Sequence, residues 1–373
     1  MKITVVTGPF SCLPPYSIGA VEKLWNSVGV YLIEKGIDVT FISKKVNGIE
    51  CDDNHKYIKG YERTGSWLMD FFKDFIYSFR ALKQLPKSDI VILNSLWSPL
   101  LARFFKRKFK ISIFSVERFP KRQLNIYSKI GKIDYFRCCS SAVYNELILQ
   151  SPQLKNNAWV IPNFIDTKVF NCNKKRNLVS KPTIVYAGRV HKEKGIHLLV
   201  KAIQLLQQRE QISLNLMIIG ARDKERGGSG EEYINYLKEI GEGVNFNWID
   251  PIYEPQKLAD EICKGDIFCY PSIAEKGETF GVAPLEAMGL GIPTIVSALD
   301  CFKDFVTNEV NALVFNHNDK NAIEELAYKI KYLINSQEIF NKLSVEGAKT
   351  AKNFSIEEIS KVYYSKFKEL LDV

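Results

Sequence analysis

Short apolar runs recur along the chain, separated by stretches in which apolar residues return every three or four positions. Residues 3–7 form the first run, and a helical spacing follows over 20–34. After the turn at Lys35-Gly36 comes a second run at 38–42, then a long helical stretch over about 67–85 that Pro86 ends. Residues 89–93 and 111–115 are further short apolar runs. Strands alternating with helices in this way predict parallel pairing through βαβ crossovers.

The rhythm restarts after residues 159–166. Strands are predicted at 183–187, 214–219, 244–248, 267–270 and 294–297, and helices at 196–208, about 256–263 and 284–289. Two amphipathic helices, about 321–335 and 356–371, close the chain, while 223–232 with its Gly227-Gly228-Ser229-Gly230 reads as a mobile surface loop. A length of 373 residues is long for one core. The expected division is an N-terminal domain over 1–165 and a C-terminal one over 166–355, with the helix from about 356 to 373 packing back on the first. Each half reads as a doubly wound α/β sheet, whose ligands bind beyond the carboxyl ends of the strands.

Composition narrows the class. Hydrophobic content of 46% beside 25% charged residues belongs to a folded chain. No run approaches the roughly 20 consecutive apolar residues of a membrane span, and the apolar stretch at the N-terminus is too short for a signal peptide. The expected location is therefore the cytoplasm, with the inner face of the cell membrane as a possible resting surface. Eight cysteines lack metal-site spacing and only four histidines accompany them, so no metal is expected. The net charge of +9 is uneven: residues 1–165 hold 24 Lys+Arg against 13 Asp+Glu, the remainder 27 against 29. An anionic partner of the first half (membrane surface, nucleic acid or phosphorylated substrate) fits this, as does a merely solvated basic surface.

Three segments carry candidate chemistry. In 271–293 a strand ends, a loop follows and a helix begins near Val282, with Glu278 before it, Gly281 at its start and Glu286 in its second turn. Free N–H groups and the helix dipole there favour an anion such as phosphate, and the two carboxylates can address different ends of one long ligand. A capped helix with two surface glutamates fits the same residues. The second segment, Ala187-Gly188-Arg189-Val190-His191-Lys192-Glu193-Lys194-Gly195, sets Arg189 and Lys194 where they can converge on a diphosphate. The third is the loop ending at Gly19, which opens a helix but lacks the dinucleotide fingerprint.

Together these segments resemble the family 4 retaining glycosyltransferases (group 1), nearly end to end. The E-x7-E spacing of Glu278 and Glu286 is the most specific part, joined by Gly291-Ile292-Pro293, Gly220, and Ile161-Pro162-Asn163-Phe164-Ile165-Asp166. The resemblance implies the GT-B fold, two Rossmann-like doubly wound domains facing across a cleft, and transfer of a sugar from a UDP- or GDP-sugar. It implies that Glu286 binds the ribose hydroxyls and that Glu278 sits by the transferred sugar. Arg189 and Lys194 would hold the diphosphate, helped by backbone at Gly19, Phe280, Gly281 and Val282, with Gly188, Gly220 and Thr279 also among the donor-binding residues. Trp248 and Ile249 would lie by the base. Glu278, Arg189 and Lys194 are thus the catalytic candidates, and no cofactor or metal is implied.

Many relatives carry a histidine after the strand matching 111–115, but residues 114–122 have none. Glu117 and Arg118 are candidates for its place, with Lys121 and Arg122 beside them on the acceptor side. The acceptor implied is a lipid-linked or growing glycan of bacterial-type polysaccharide. The basic stretch 103–110 and the aromatic stretch 67–80 suit an anionic lipid surface, although aromatics of this kind also fill cores. A same-fold nucleotide-sugar epimerase, or a non-catalytic sugar-nucleotide or nucleic-acid binding protein, is the alternative. Nucleic acid is disfavoured because no recognised module accompanies the charge.

Overall fold

Parallel strands covered on both faces need unbroken apolar runs, and this chain supplies them: Ile90 to Leu93 and Ile184 to Tyr186 are wholly enclosed. The computed structural model describes residues 1–14, 20–46, 53–171 and 176–372. They fall into two units, one of Met1–Asn163 joined by the chain from Ile356 onward, the other Phe164–Ser355.

The first unit holds strands β1 (Lys2–Val6), β2 (Asp38–Lys44), β3 (His55–Ile58), β4 (Ser88–Leu93), β5 (Phe109–Val116), β6 (Tyr135–Cys138) and β7 (Ala158–Val160). They pair in parallel in the order β3-β2-β1-β4-β5-β6-β7. The second holds β8 (Thr183–Ala187), β9 (Asn215–Ile219), β10 (Asn245–Ile249), β11 (Ile267–Tyr270), β12 (Thr294–Ser297) and β13 (Leu313–Phe315). Their order is β10-β9-β8-β11-β12-β13, again all parallel. Both sheets are doubly wound, with the strand order reversing between β1 and β4 and between β8 and β11. A crevice at such a reversal is where open α/β sheets take ligands.

Strands β3, β6, β7 and β13 have no counterpart among the runs read from sequence. His55–Ile58 has only one buried residue, Leu313–Phe315 is three residues long, and β6 carries an arginine inside its short run. That arginine, Arg137, is fully buried. Its guanidinium pairs with Glu117, donates to Asn163 Oδ1 at 2.8 Å and lies 5.6 Å from the ring centre of Tyr363. Tyr363 belongs to the last helix, Ile356–Leu370, and also meets Trp25 edge-on at 5.3 Å. Trp25 is on the inward stripe of Ala20–Glu34 with Leu24, Val28 and Leu32. These contacts seat the final helix on the first unit.

Helix Trp67–Lys83 turns Tyr77, Ala81 and Leu82 inward. Asp74 also faces in, its carboxylate accepting from the Trp97 N–H at 2.9 Å and the Ser78 hydroxyl at 2.9 Å, and burial holds its pKa above the usual aspartate value. The opposite face is solvent-exposed: Trp67 is 70% accessible and Phe72 60%. Most of the aromatic stretch is therefore surface.

The glycine loop after β9 differs from the sequence expectation of a mobile segment ending at 232. Glu231 already starts a helix, Glu231–Ile240, and the preceding turns are tied down. Gly228 N–H donates to Asp223 O at 2.7 Å, Gly230 N–H to Arg222 O at 2.8 Å and Ser229 N–H to Val190 O at 2.9 Å. Backbone groups satisfied this way leave little freedom. Among the described residues, no helix is long and apolar enough to cross a membrane, and no group of three or more His, Cys, Asp or Glu side chains could hold a metal ion.

Candidate functional site

The loops that follow β8 and β11, the two strands flanking the reversal of the second sheet, are stitched together. Ile273 N–H donates to Glu193 O at 2.9 Å, and the Ser272 hydroxyl reaches the same carbonyl at 3.4 Å. Gly195 lies so close to the second loop that a Cβ there would stand 1.9 Å from Pro271 O. Its φ of +66° also suits only glycine well, so this position brings the two loops within bonding distance of each other.

That approach puts Lys194 against Glu278. The ammonium donates to Glu278 Oε2 at 2.5 Å, and both side chains are largely buried. The same carboxylate oxygen accepts from Tyr270 Oη at 3.1 Å and lies 3.4 Å from Ser272 Oγ. Lys194 Nζ is also 5.7 Å from the Tyr270 ring centre. Burial, reinforced by the Glu278 charge, drives the Tyr270 phenol well above its ordinary pKa, so it stays a neutral donor. Tyr186 stacks on Tyr270 at 5.6 Å and donates to the Arg189 carbonyl at 2.8 Å, which fixes the start of the basic loop. Removing either member of a buried ion pair leaves an uncompensated charge, at a cost of about 3–5 kcal/mol.

Arg189 stands differently. Its side chain is half exposed, donating to Glu193 Oε1 at 3.0 Å and to Gly227 O at 3.2 Å. Neither contact is deeply enclosed, so an incoming anion can compete for the guanidinium. Gly188 N–H donates to Ile219 O at 2.9 Å and Gly220 N–H to Ile249 O at 3.0 Å, linking the ends of β8, β9 and β10.

Helix Val282–Gly289 begins at Gly281, whose φ is +87°. A Cβ there would meet Phe302 Cε1 at 2.3 Å. Both facts require glycine before any ligand is considered. Phe280 is buried and packs on Phe305 at 5.3 Å, so only its backbone is available to a ligand. Thr279, Val282 and Glu286 are half-buried on the same loop and helix. Trp248 stacks on Phe246 at 5.4 Å, and the Ile249 carbonyl is already engaged by Gly220. Gly19 lies outside the described residues.

The acceptor-side candidates are in the first unit. Glu117 is tied to Arg137 and accepts from the Ser115 hydroxyl at 2.6 Å. Arg118, Lys121 and Arg122 are exposed, with Arg122 in the left-handed region at φ +63° and its N–H on Gln150 Oε1 at 2.9 Å. Sequence reasoning missed Tyr270, Ser272 and Glu193 as supports of the second-unit cluster. The signal was available for the first two, since Tyr270 ends an apolar run and Ser272 follows it in the loop that leads to Glu278. Glu193 had none, because its role depends on the approach of two distant loops.

Residues 170–350 match the family model described as "Glycosyl transferases group 1". The capsular polysaccharide biosynthesis glycosyltransferase CapM of Staphylococcus aureus is 26% identical over 191 residues, which is 50% of this chain and 47% of that protein. An uncharacterized glycosyltransferase of Haemophilus influenzae is 24% identical, covering 92% of this chain and 94% of its own length. Among solved structures, sucrose-phosphate synthase from Thermosynechococcus elongatus superposes with a TM-score of 0.77 at 18% identity, covering 100% of this chain and 99% of its own. Anabaena HepE in complex with UDP and glucose gives 0.69 at 15%, covering 99% and 100%.

Proposed function

We propose that this chain, whose residues 170–350 match the group 1 glycosyl transferase model, is a glycosyl transferase that moves a sugar from a UDP- or GDP-sugar with retention of configuration. The acceptor in this reading is a lipid-linked or growing glycan of capsule- or lipopolysaccharide-type synthesis. CapM among the relatives supports that choice, and HepE, solved with UDP, supports a nucleotide donor.

The observation that carries the reading is the enclosed Lys194–Glu278 pair at the reversal of the second sheet. A cation there, with Arg189 beside it and the start of Val282–Gly289 close by, offers charge where a nucleoside diphosphate gathers it during departure. Glu278, fixed by Tyr270 and Ser272, accepts hydrogen bonds from sugar hydroxyls, and Glu286 accepts from the ribose hydroxyls. In the step itself the acceptor oxygen bonds to the anomeric carbon as the bond from that carbon to the phosphate oxygen breaks. The acceptor's proton passes to that phosphate oxygen on the same face. The protein's part is positioning and charge stabilisation, so neither a histidine nor a metal is assigned a role.

Thermal-shift measurements with UDP-sugars and GDP-sugars test the donor, because a ligand of the folded state alone raises the melting temperature. Labelled donor with membrane extract then tests transfer. No stabilisation by any nucleotide-sugar would overturn the assignment.

A further inference from the structure

An amphipathic helix on a soluble unit normally hides its apolar stripe, yet Trp67–Lys83 has two. Tyr77, Ser78, Ala81 and Leu82 face the core, while Leu68, Phe72, Phe75, Ile76 and Phe79 fall on the opposite side at intervals of one, three and four residues and are exposed. The stripe extends beyond the helix. Phe79 packs on Phe105 at 5.9 Å, and Lys108 Nζ donates to the carbonyls of Lys83 at 2.6 Å and Leu85 at 3.0 Å. These bonds clamp the turn 102–108 to the helix end, where Phe104 projects with 72% of its surface accessible.

Charge around the stripe is of one sign. Arg80, Lys83, Arg103 and Arg107 are all exposed, on the last helical turns and the clamped turn. The helix's two acids are turned elsewhere: Asp74 is buried, and Asp70 accepts from the Thr64 hydroxyl at 2.9 Å. Seven large apolar side chains in water on one element call for a cover. A second copy seated face to face would bring like charges together. An anionic bilayer satisfies both features, because rings and aliphatic chains enter the acyl boundary while arginines and lysines stay at the phosphates.

We infer that the outer face of Trp67–Lys83, with the turn carrying Arg103, Phe104 and Arg107, is a docking surface for an anionic lipid bilayer. The helix lies along the interface and does not span it. This deepens the acceptor side of the reading above, since a lipid-linked acceptor resides in such a bilayer. Binding is nevertheless measured without donor, so the two can fail separately.

The test is co-sedimentation of the full chain with phosphatidylcholine vesicles, with and without phosphatidylglycerol, at low and high salt. Wild type is expected to pellet with the anionic vesicles and to be released by salt. Phe72→Ser with Phe75→Ser should lower partitioning at least about tenfold, and Arg103→Gln or Arg107→Gln roughly fivefold each. These side chains are exposed, so the variants should keep the wild-type melting temperature and any donor-induced shift. Wild type remaining in the supernatant, or variants binding as well as wild type, overturns the inference. So does sedimentation equilibrium showing a dimer that Phe72→Ser with Phe75→Ser converts to monomer, which would assign the face to a second copy.

Discussion

Each unit encloses an ion pair near the carboxyl ends of its parallel strands, and the two pairs are not equivalent. Arg137–Glu117 in the first unit is closed by Asn163, Ser115 and the Tyr363 ring, which tie it to the final helix. Lys194–Glu278 in the second is backed by Tyr270 and Ser272, and the loops that carry it also carry the half-exposed Arg189 and the helix start at Gly281. A buried charge pair by itself is a feature of architecture. It becomes a candidate site where loops at a sheet reversal leave neighbouring donors exchangeable.

Arg137→Met gives the largest expected effect. It strands Glu117 and should destabilise the first unit by about 3–5 kcal/mol, as read by denaturant unfolding. Donor affinity of the folded fraction should be unchanged; a parallel loss of affinity would break the contrast between the pairs. Glu278→Gln keeps the shape and removes the charge, and turnover is expected to fall on the order of 100-fold or more with a smaller change in donor Kd. An unchanged kcat would remove Glu278 from the chemistry.

Glu286→Ala should act on binding instead, raising donor Kd by roughly 10- to 100-fold in calorimetry, as expected for lost hydrogen bonds to a charged acceptor. Equal affinity in both proteins would contradict the ribose assignment. Gly281→Ala forces a Cβ onto Phe302 at a φ of +87° and should cost about 1–3 kcal/mol whether or not donor is present. Phe302→Leu in the same chain should recover part of it if the ring contact matters.

The smallest effect concerns pH in the second unit. Burial, with Lys201 nearby, lowers the His197 pKa below its usual 6.5, so the unfolded chain binds its proton more readily. The stability this contributes is present above about 6.5 and is lost as pH falls through the lowered folded-state value. His197→Gln should flatten the acid side of the melting profile. A steeper acid slope in the variant would reverse the sign.

Much of the fold is legible in the chain. Runs such as Ile184 to Tyr186 and Ile267 to Tyr270 are apolar throughout because both faces of a parallel strand are covered, and the intervening helical spacings imply crossovers. Helix Gln337–Asn353, absent from the sequence reading, interrupts its apolar spacing with Gly347, which lies against Asn311 and Met288. The candidate site was legible as a set of residue types near strand ends, Arg189, Lys194, Glu278 and Glu286 among them. Their partners were not, since Lys194 and Glu278 are 84 positions apart.

Sequence by itself determined the two doubly wound α/β patterns, the basic first half, and the spacing of Glu278 and Glu286. These depend on local periodicity and composition, which need no knowledge of distant contacts. Tertiary structure alone decided that Lys194 meets Glu278, that Phe302 demands glycine at 281, and that the aromatic helix faces solvent. Each depends on which surfaces of remote segments approach one another. An apolar stripe reads the same in the chain whether the fold covers it or leaves it bare.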